Sequence, residues 1–206
     1  MKSTYSKYSN IFSSRGITAE QAARKVLDYY NVQGVEFNRV RGSLTDFYDP
    51  RSNSISLSDA VYGQCSVAAI GVACHEAGHA AQHAQGYLPI KIRNAIIPVC
   101  NIGSYLGLPI AFLGFFLNIY EIVLVGFLMY ALIAVFQIVT LPVELDASRR
   151  AMKVIAETDI LYGDEQKGAR KVLTAAAMTY VAALASVILN ILRFAMILGV
   201  GRRRDD

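Results

Sequence analysis

The chain contains three histidines, His75, His79 and His83, and all fall within the segment VACHEAGHAAQHAQGY, residues 72–87, spaced four apart. The first two frame a glutamate as His-Glu-x-x-His. On a helix, residues i and i+4 share a face about one turn apart, so His75 and His79 can aim both imidazoles at one ion. Glu76 sits beside them, placed to hold a water rather than the metal. Imidazole nitrogens suit Zn²⁺, and catalytic zinc sites keep one position open. The chemistry this spacing allows is metal-assisted hydrolysis, with one Zn²⁺ per chain acidifying its water and Glu76 as general base.

The elements that must position these residues read as those of a membrane protein. Hydrophobic residues make up 54% of the 206 and charged residues 17%, against about a quarter charged in a soluble domain. The net charge is +4, but the basic residues flank apolar runs instead of forming one patch, which argues against nucleic acid as a partner. Three runs carry no charge: residues 94–120, 122–143 and 172–192, of 27, 22 and 21 residues. Each is long enough to span hydrocarbon, which takes about 20. Gly103, Gly107 and Gly114 would let the first pack closely against a neighbour.

Ahead of them, ITAEQAARKVLDYY has helical periodicity, with Thr18 and Gln21 as a capping box. VEFNRVRG reads as a strand, and TDFYDPRSNSISLS as a hairpin with alternation over residues 54–58. A small, charge-free stretch, residues 60–74, leads into the His cluster as one long helix or two and is too short to span. The expected fold is therefore a mainly α integral membrane protein, with about three transmembrane helices and a small α+β catalytic unit carrying a short β-hairpin. Its expected parts are residues 1–93 with the histidine helix, a two-span hairpin 94–143, a helix and loop 144–171, a third span 172–200 and a tail 201–206. Cys65, Cys74 and Cys100 lack metal or redox spacing and read as small hydrophobes, although Cys74 adjoins His75.

A third protein ligand is required. His83 is the local candidate, but three ligands in a row on a straight helix sweep too far round to close a tetrahedral site. A metzincin would need Gly and His where Gln82 and Gln85 stand. Glu144, in LPVELDASRRA, is the better candidate. The histidines precede the first span and Glu144 follows the second, where Pro142 is expected to break the helix, so two crossings return the chain to the same membrane face. A glutamate at the end of a span is also costly unless paired, ligated or wet. An interfacial carboxylate paired with Arg149 or Arg150 is the alternative.

The segments KSTYSKYS, RGSLTDFYDPRSNSISLS, HEAGHAAQ and LPVELDASRRA, in this order, closely resemble the bacterial YugP-type neutral zinc metallopeptidases. More distantly the chain is similar to the HtpX-like and CAAX-prenyl-protease-like membrane gluzincins. The resemblance implies a zincin-like catalytic unit in which His75, His79 and Glu144 bind zinc and Glu76 is the base of a membrane endopeptidase acting on a peptide or protein. Two departures stand out. Gluzincins usually place an Asp four residues after the ligand glutamate to orient a ligand histidine. Here that residue is Ser148, a weaker partner, and Asp146 is expected on the far side of the helix. Relatives also generally carry an apolar segment before the KSTY-like stretch, so the natural start is expected to differ or the chain to be shortened.

Around the site, Ser148, Arg149 and His83 are expected as supporting residues, with Arg149, Arg150 or Tyr62 as candidates to stabilise an oxyanion. The Ile55-Ser56-Leu57 strand is expected to be an edge to which substrate adds. Lys91 and Arg93 before the first span, and Arg149, Arg150 and Lys153 after the second, place the catalytic unit on the cytoplasmic side of the cell membrane in a multi-pass protein. Arg202, Arg203 and Arg204 pull the other way. A non-catalytic zinc-binding scaffold is the alternative function, although a structural zinc site usually has four protein ligands and no use for a carboxylate placed as base. The oligomeric state leaves no signal in the sequence.

Overall fold

The computed structural model describes residues 1–202, except the side chains of residues 195 and 197–202. Arg203, Arg204 and the rest of the expected tail lie outside the described residues, as does the Arg202 side chain. The elements are α1 (Lys2–Ser9), α2 (Ala19–Tyr29), β1 (Glu36–Val40), β2 (Phe47–Asp49), β3 (Ser54–Ser58), α3 (Val67–Ala84), α4 (Leu88–Phe116), α5 (Tyr120–Glu157) and α6 (Asp164–Arg202). They form two compact units, residues 1–88 with 143–179 and residues 89–142 with 180–206.

In the first unit, α2 begins where the capping box places it. Thr18 Oγ1 accepts from the Gln21 N–H, and the Gln21 side chain accepts from the Thr18 N–H. The hairpin also forms: β2 pairs antiparallel with β3, with Asp49 opposite Ser54. The sheet is mixed, because β1 pairs parallel with β3 along its whole length. The order is β1-β3-β2. All five residues of β3 are buried, its serines included. Ser58 gives its N–H and hydroxyl to Asp46, at 2.6 and 3.2 Å.

The histidine helix is shorter than the apolar stretch predicts. It starts at Val67, after the Ser66 hydroxyl accepts from the Ala69 N–H. The residues just before it turn instead, with Gly63 at φ +71°, a conformation glycine adopts without penalty. Ile55, Leu57, Ile70, Ile155, Ile160 and Leu161 are fully buried in the core around this helix.

The second unit is helical. Among the described residues, three helices are long and apolar enough to cross a membrane, Leu88–Leu117, Tyr120–Glu157 and Asp164–Phe194, and each contributes part of its length to this unit. Each is longer than its charge-free run. Pro142 does not break α5, which continues through it to Glu157; proline removes one backbone hydrogen bond and often kinks a helix, but here the helix carries on. A Cβ on Gly103 would lie 2.6 Å from Met129 O, and one on Gly107 2.7 Å from Tyr130 N. The α4 and α5 backbones therefore meet where only glycine fits. Asn190 Nδ2 donates to Tyr130 Oη at 3.2 Å.

Candidate metal centre

The site belongs to the first unit and arises where α3 meets the C-terminal part of α5. Small residues bring the two backbones together: a Cβ on Gly78 would come 2.6 Å from the Ala147 carbonyl oxygen. Glu144 lies one turn before Ala147, so this contact delivers its carboxylate to the histidines, which lie on α3 on either side of Gly78. His75, His79 and Glu144 each offer one ligand atom within 4.8 Å of the others. His75 Nε2 is 3.3 Å from Glu144 Oε2, and His79 Nε2 is 3.7 Å from Glu144 Oε1. The imidazoles meet edge to face, with centroids 4.6 Å apart.

Glu76, His79 and Glu144 are all buried. Burial pushes the Glu76 carboxyl up; His75 and His79 partly offset this, while Glu144 and Asp46 add to it. Burial alone would pull His79 down, but the Glu144 hydrogen bond, the charges of Glu76 and Glu144 and the Gln82 hydrogen bond together hold it above its ordinary value. Each imidazole is held at its other nitrogen. Ser148 Oγ lies 3.1 Å from His75 Nδ1, and Gln82 Oε1 lies 3.0 Å from His79 Nδ1. Both Nε2 atoms therefore face the space in front of Glu144. Two imidazole nitrogens and one carboxylate oxygen, buried and convergent, are a donor set that fits Zn²⁺ with a position left for water.

Other expected residues fall differently. His83 is exposed, its ring 6.1 Å from that of Tyr48, and it is not part of the cluster. Cys74 is buried, and burial pushes its thiol up, which keeps it a neutral apolar filler. Arg149 is 79% exposed at its side chain and lies 3.8 Å from Asp146. Tyr62 lies beneath the Arg39 guanidinium. Arg150 turns inward instead. Its Nε donates to Asp146 Oδ2 at 2.6 Å, and its guanidinium faces the Tyr30 and Tyr87 rings.

The expectation for Asp146 is corrected outright. It faces α3, where its Oδ2 accepts from Gln82 Nε2 at 2.9 Å. Gln82 went unnoticed as a supporting residue. Its signal was a lone amide three positions after His79, on the buried face of an alanine-rich helix. The substrate-strand expectation is also corrected. Ile55, Ser56 and Leu57 lie in the central strand, with β1 paired along all three on one side and β2 paired to Ile55 and Ser56 on the other.

A family profile described as "Putative neutral zinc metallopeptidase" matches residues 1–199. The chain is 41% identical over 203 residues to the "Putative membrane protease YugP" of Bacillus subtilis (strain 168), an alignment covering 98% of this chain and 90% of that protein. No solved structure matches.

Proposed function

Because the chain belongs to the neutral zinc metallopeptidase family, we propose that it is a membrane-bound zinc endopeptidase of the gluzincin type. The observation that carries this reading is the convergence of His75, His79 and Glu144 with the buried carboxyl of Glu76 beside them. A zinc ion held there would polarise the scissile carbonyl and acidify a water. Glu76 would serve as the base that takes a proton from an attacking water and returns it to the leaving amine. Ser148 and Gln82 keep the two imidazoles aimed.

The backbone edge we assign to an extended peptide is β2, one of the two outer strands of the sheet. Phe47 on that strand is half exposed, which gives an added substrate strand an apolar contact. Phe47→Ala is expected to raise KM for a peptide substrate and leave kcat nearly unchanged; a fall in kcat alone would remove this docking edge. The bilayer is the second partner, and the basic residues around the first two spans support a cytoplasmic catalytic unit. A cysteine introduced at Asn118, between α4 and α5, would then be labelled from outside intact cells.

The function is tested by measuring metal in the detergent-purified protein and casein cleavage in the same samples. About one zinc per chain is expected, lost in Glu144→Ala and retained without activity in Glu76→Gln. Zinc that survives Glu144→Ala would exclude this ligand set. Bound zinc with no cleavage by the wild type would favour a non-catalytic zinc scaffold.

A further inference from the structure

We propose that Gln82 is a positioning residue that sets the tautomer of His79, and so the direction of the lone pair His79 offers to a metal. The inference rests on the zinc reading above and concerns a residue outside the His-Glu-x-x-His motif.

Gln82 is completely buried, and its amide has three partners. Its Nε2 lies 2.8 Å from the Val143 carbonyl oxygen and 2.9 Å from Asp146 Oδ2. A carbonyl and a carboxylate only accept hydrogen bonds, so the NH₂ end of the amide must face them. The amide oxygen is thereby turned to His79 Nδ1, 3.0 Å away. That oxygen cannot donate, so Nδ1 must carry the proton. In the neutral ring the bare nitrogen is then Nε2, the atom on the Glu144 side that a metal would take.

The other ligand histidine lacks this constraint. His75 Nδ1 meets the Ser148 hydroxyl, which can donate or accept and so accommodates either tautomer. His79 is thus oriented by an amide whose own orientation is enforced from behind. Asp146, the enforcing group, is held in turn by Arg150 at 2.6 Å. A glutamate at position 82 would set a second acceptor against both Val143 O and Asp146, which explains why the residue is an amide.

The test uses the full chain in detergent, metal-free and ¹⁵N-labelled at histidine, at a pH where the imidazoles are neutral. With three histidines, ring-nitrogen shifts can be assigned by substitution. His79 is expected to be protonated at Nδ1 with Nε2 bare. In Gln82→Met, which keeps the length but removes donor and acceptor, His79 should move toward the Nε2–H form while His75 stays unchanged. Zinc affinity, read by competition with a chelator, should fall by about 10–100-fold. Asp146→Asn should weaken zinc less than Gln82→Met and add nothing in the double variant, because Asp146 acts through Gln82.

A wild-type His79 protonated at Nε2 would overturn the proposal without any variant. So would an unchanged tautomer or unchanged zinc affinity in Gln82→Met, even with lowered thermal stability; Gln82 would then be only a tie between two helices. A wild type that binds no zinc would instead defeat the peptidase reading and leave the tautomer measurement intact.

Discussion

In the unit formed by residues 1–88 and 143–179, Ile55, Leu57, Ile70, Ile155 and Leu161 are fully shielded, and the polar groups among them are tied by hydrogen bonds. In the unit formed by residues 89–142 and 180–206, Tyr105 and Phe116 are 83% and 80% exposed, and Phe115, Leu128 and Leu189 also face outward. A water-soluble unit this small would not turn so many large apolar side chains outward. A unit solvated by lipid has no reason to hide them, and its helices associate through close backbone packing instead. The glycines between α4 and α5 follow that second rule. One chain thus carries surfaces suited to two solvents, and the candidate metal centre lies in the unit whose interior is polar enough to organise it.

The most severe way to break the contrast is to remove a polar node from the first unit. Glu144→Ala takes one of three converging ligands. Removing a supporting residue already costs about 10–100-fold in metal affinity, so loss of a direct ligand is expected to exceed that. Metal content after dialysis against chelator-buffered zinc measures it. The mirror-image change puts a charge on the outward surface of the second unit. Leu128 is 57% exposed within the charge-free run of α5, and arginine on a lipid-facing helix costs up to the roughly 2.5–3.5 kcal/mol found at its centre. Leu128→Arg should therefore lower the membrane-inserted fraction, whereas Ile11→Arg, at an exposed position in the first unit, should leave it unchanged. Equal tolerance of both would erase the distinction between the two surfaces.

Gly78→Ala sharpens the comparison at a smaller scale. Its new methyl would meet the Ala147 carbonyl, and overpacking of this kind costs about 1–3 kcal/mol. It should lower the thermal midpoint and weaken metal retention together. Gly126→Ala, whose methyl would press on the Ala111 backbone nitrogen, should disturb helix packing with metal binding unchanged.

The smallest effect concerns Asp46. Burial holds its carboxyl above the ordinary value, partly offset by the two hydrogen bonds from Ser58. The native state then binds more proton than the unfolded chain between the ordinary and the raised pKa. Stability should consequently fall as pH rises through that window. In Asp46→Asn this part of the slope should vanish, as thermal midpoints measured across pH would reveal.

The convergence of His75, His79 and Glu144 was legible because it depends on two regularities a sequence displays: the four-residue spacing on one helix and the parity of two apolar runs. What was not legible depends on how one element is rotated against another. Asp146 lies two positions after Glu144, which on a bare helix turns it away. Because α3 crosses at Ala147, both residues flank the same contact and both reach it. The alternation of β3 likewise announced a strand, but strand order follows from the long-range parallel pairing with β1, which local pattern does not encode. The Ser66 cap was visible in principle; the apolar stretch before it hid the turn that precedes the helix.

His-Glu-x-x-His is usually read as three letters and two blanks. In this chain the second blank is Gly78, and its size is decided by a carbonyl of another helix rather than by its neighbours in sequence. That blank therefore carries information of its own. It records where the helix bearing Glu144 passes, as a notch on one part of a joint records the shape of the other. A search that left position 78 open would find the two histidines and discard the coordinate that locates their third partner.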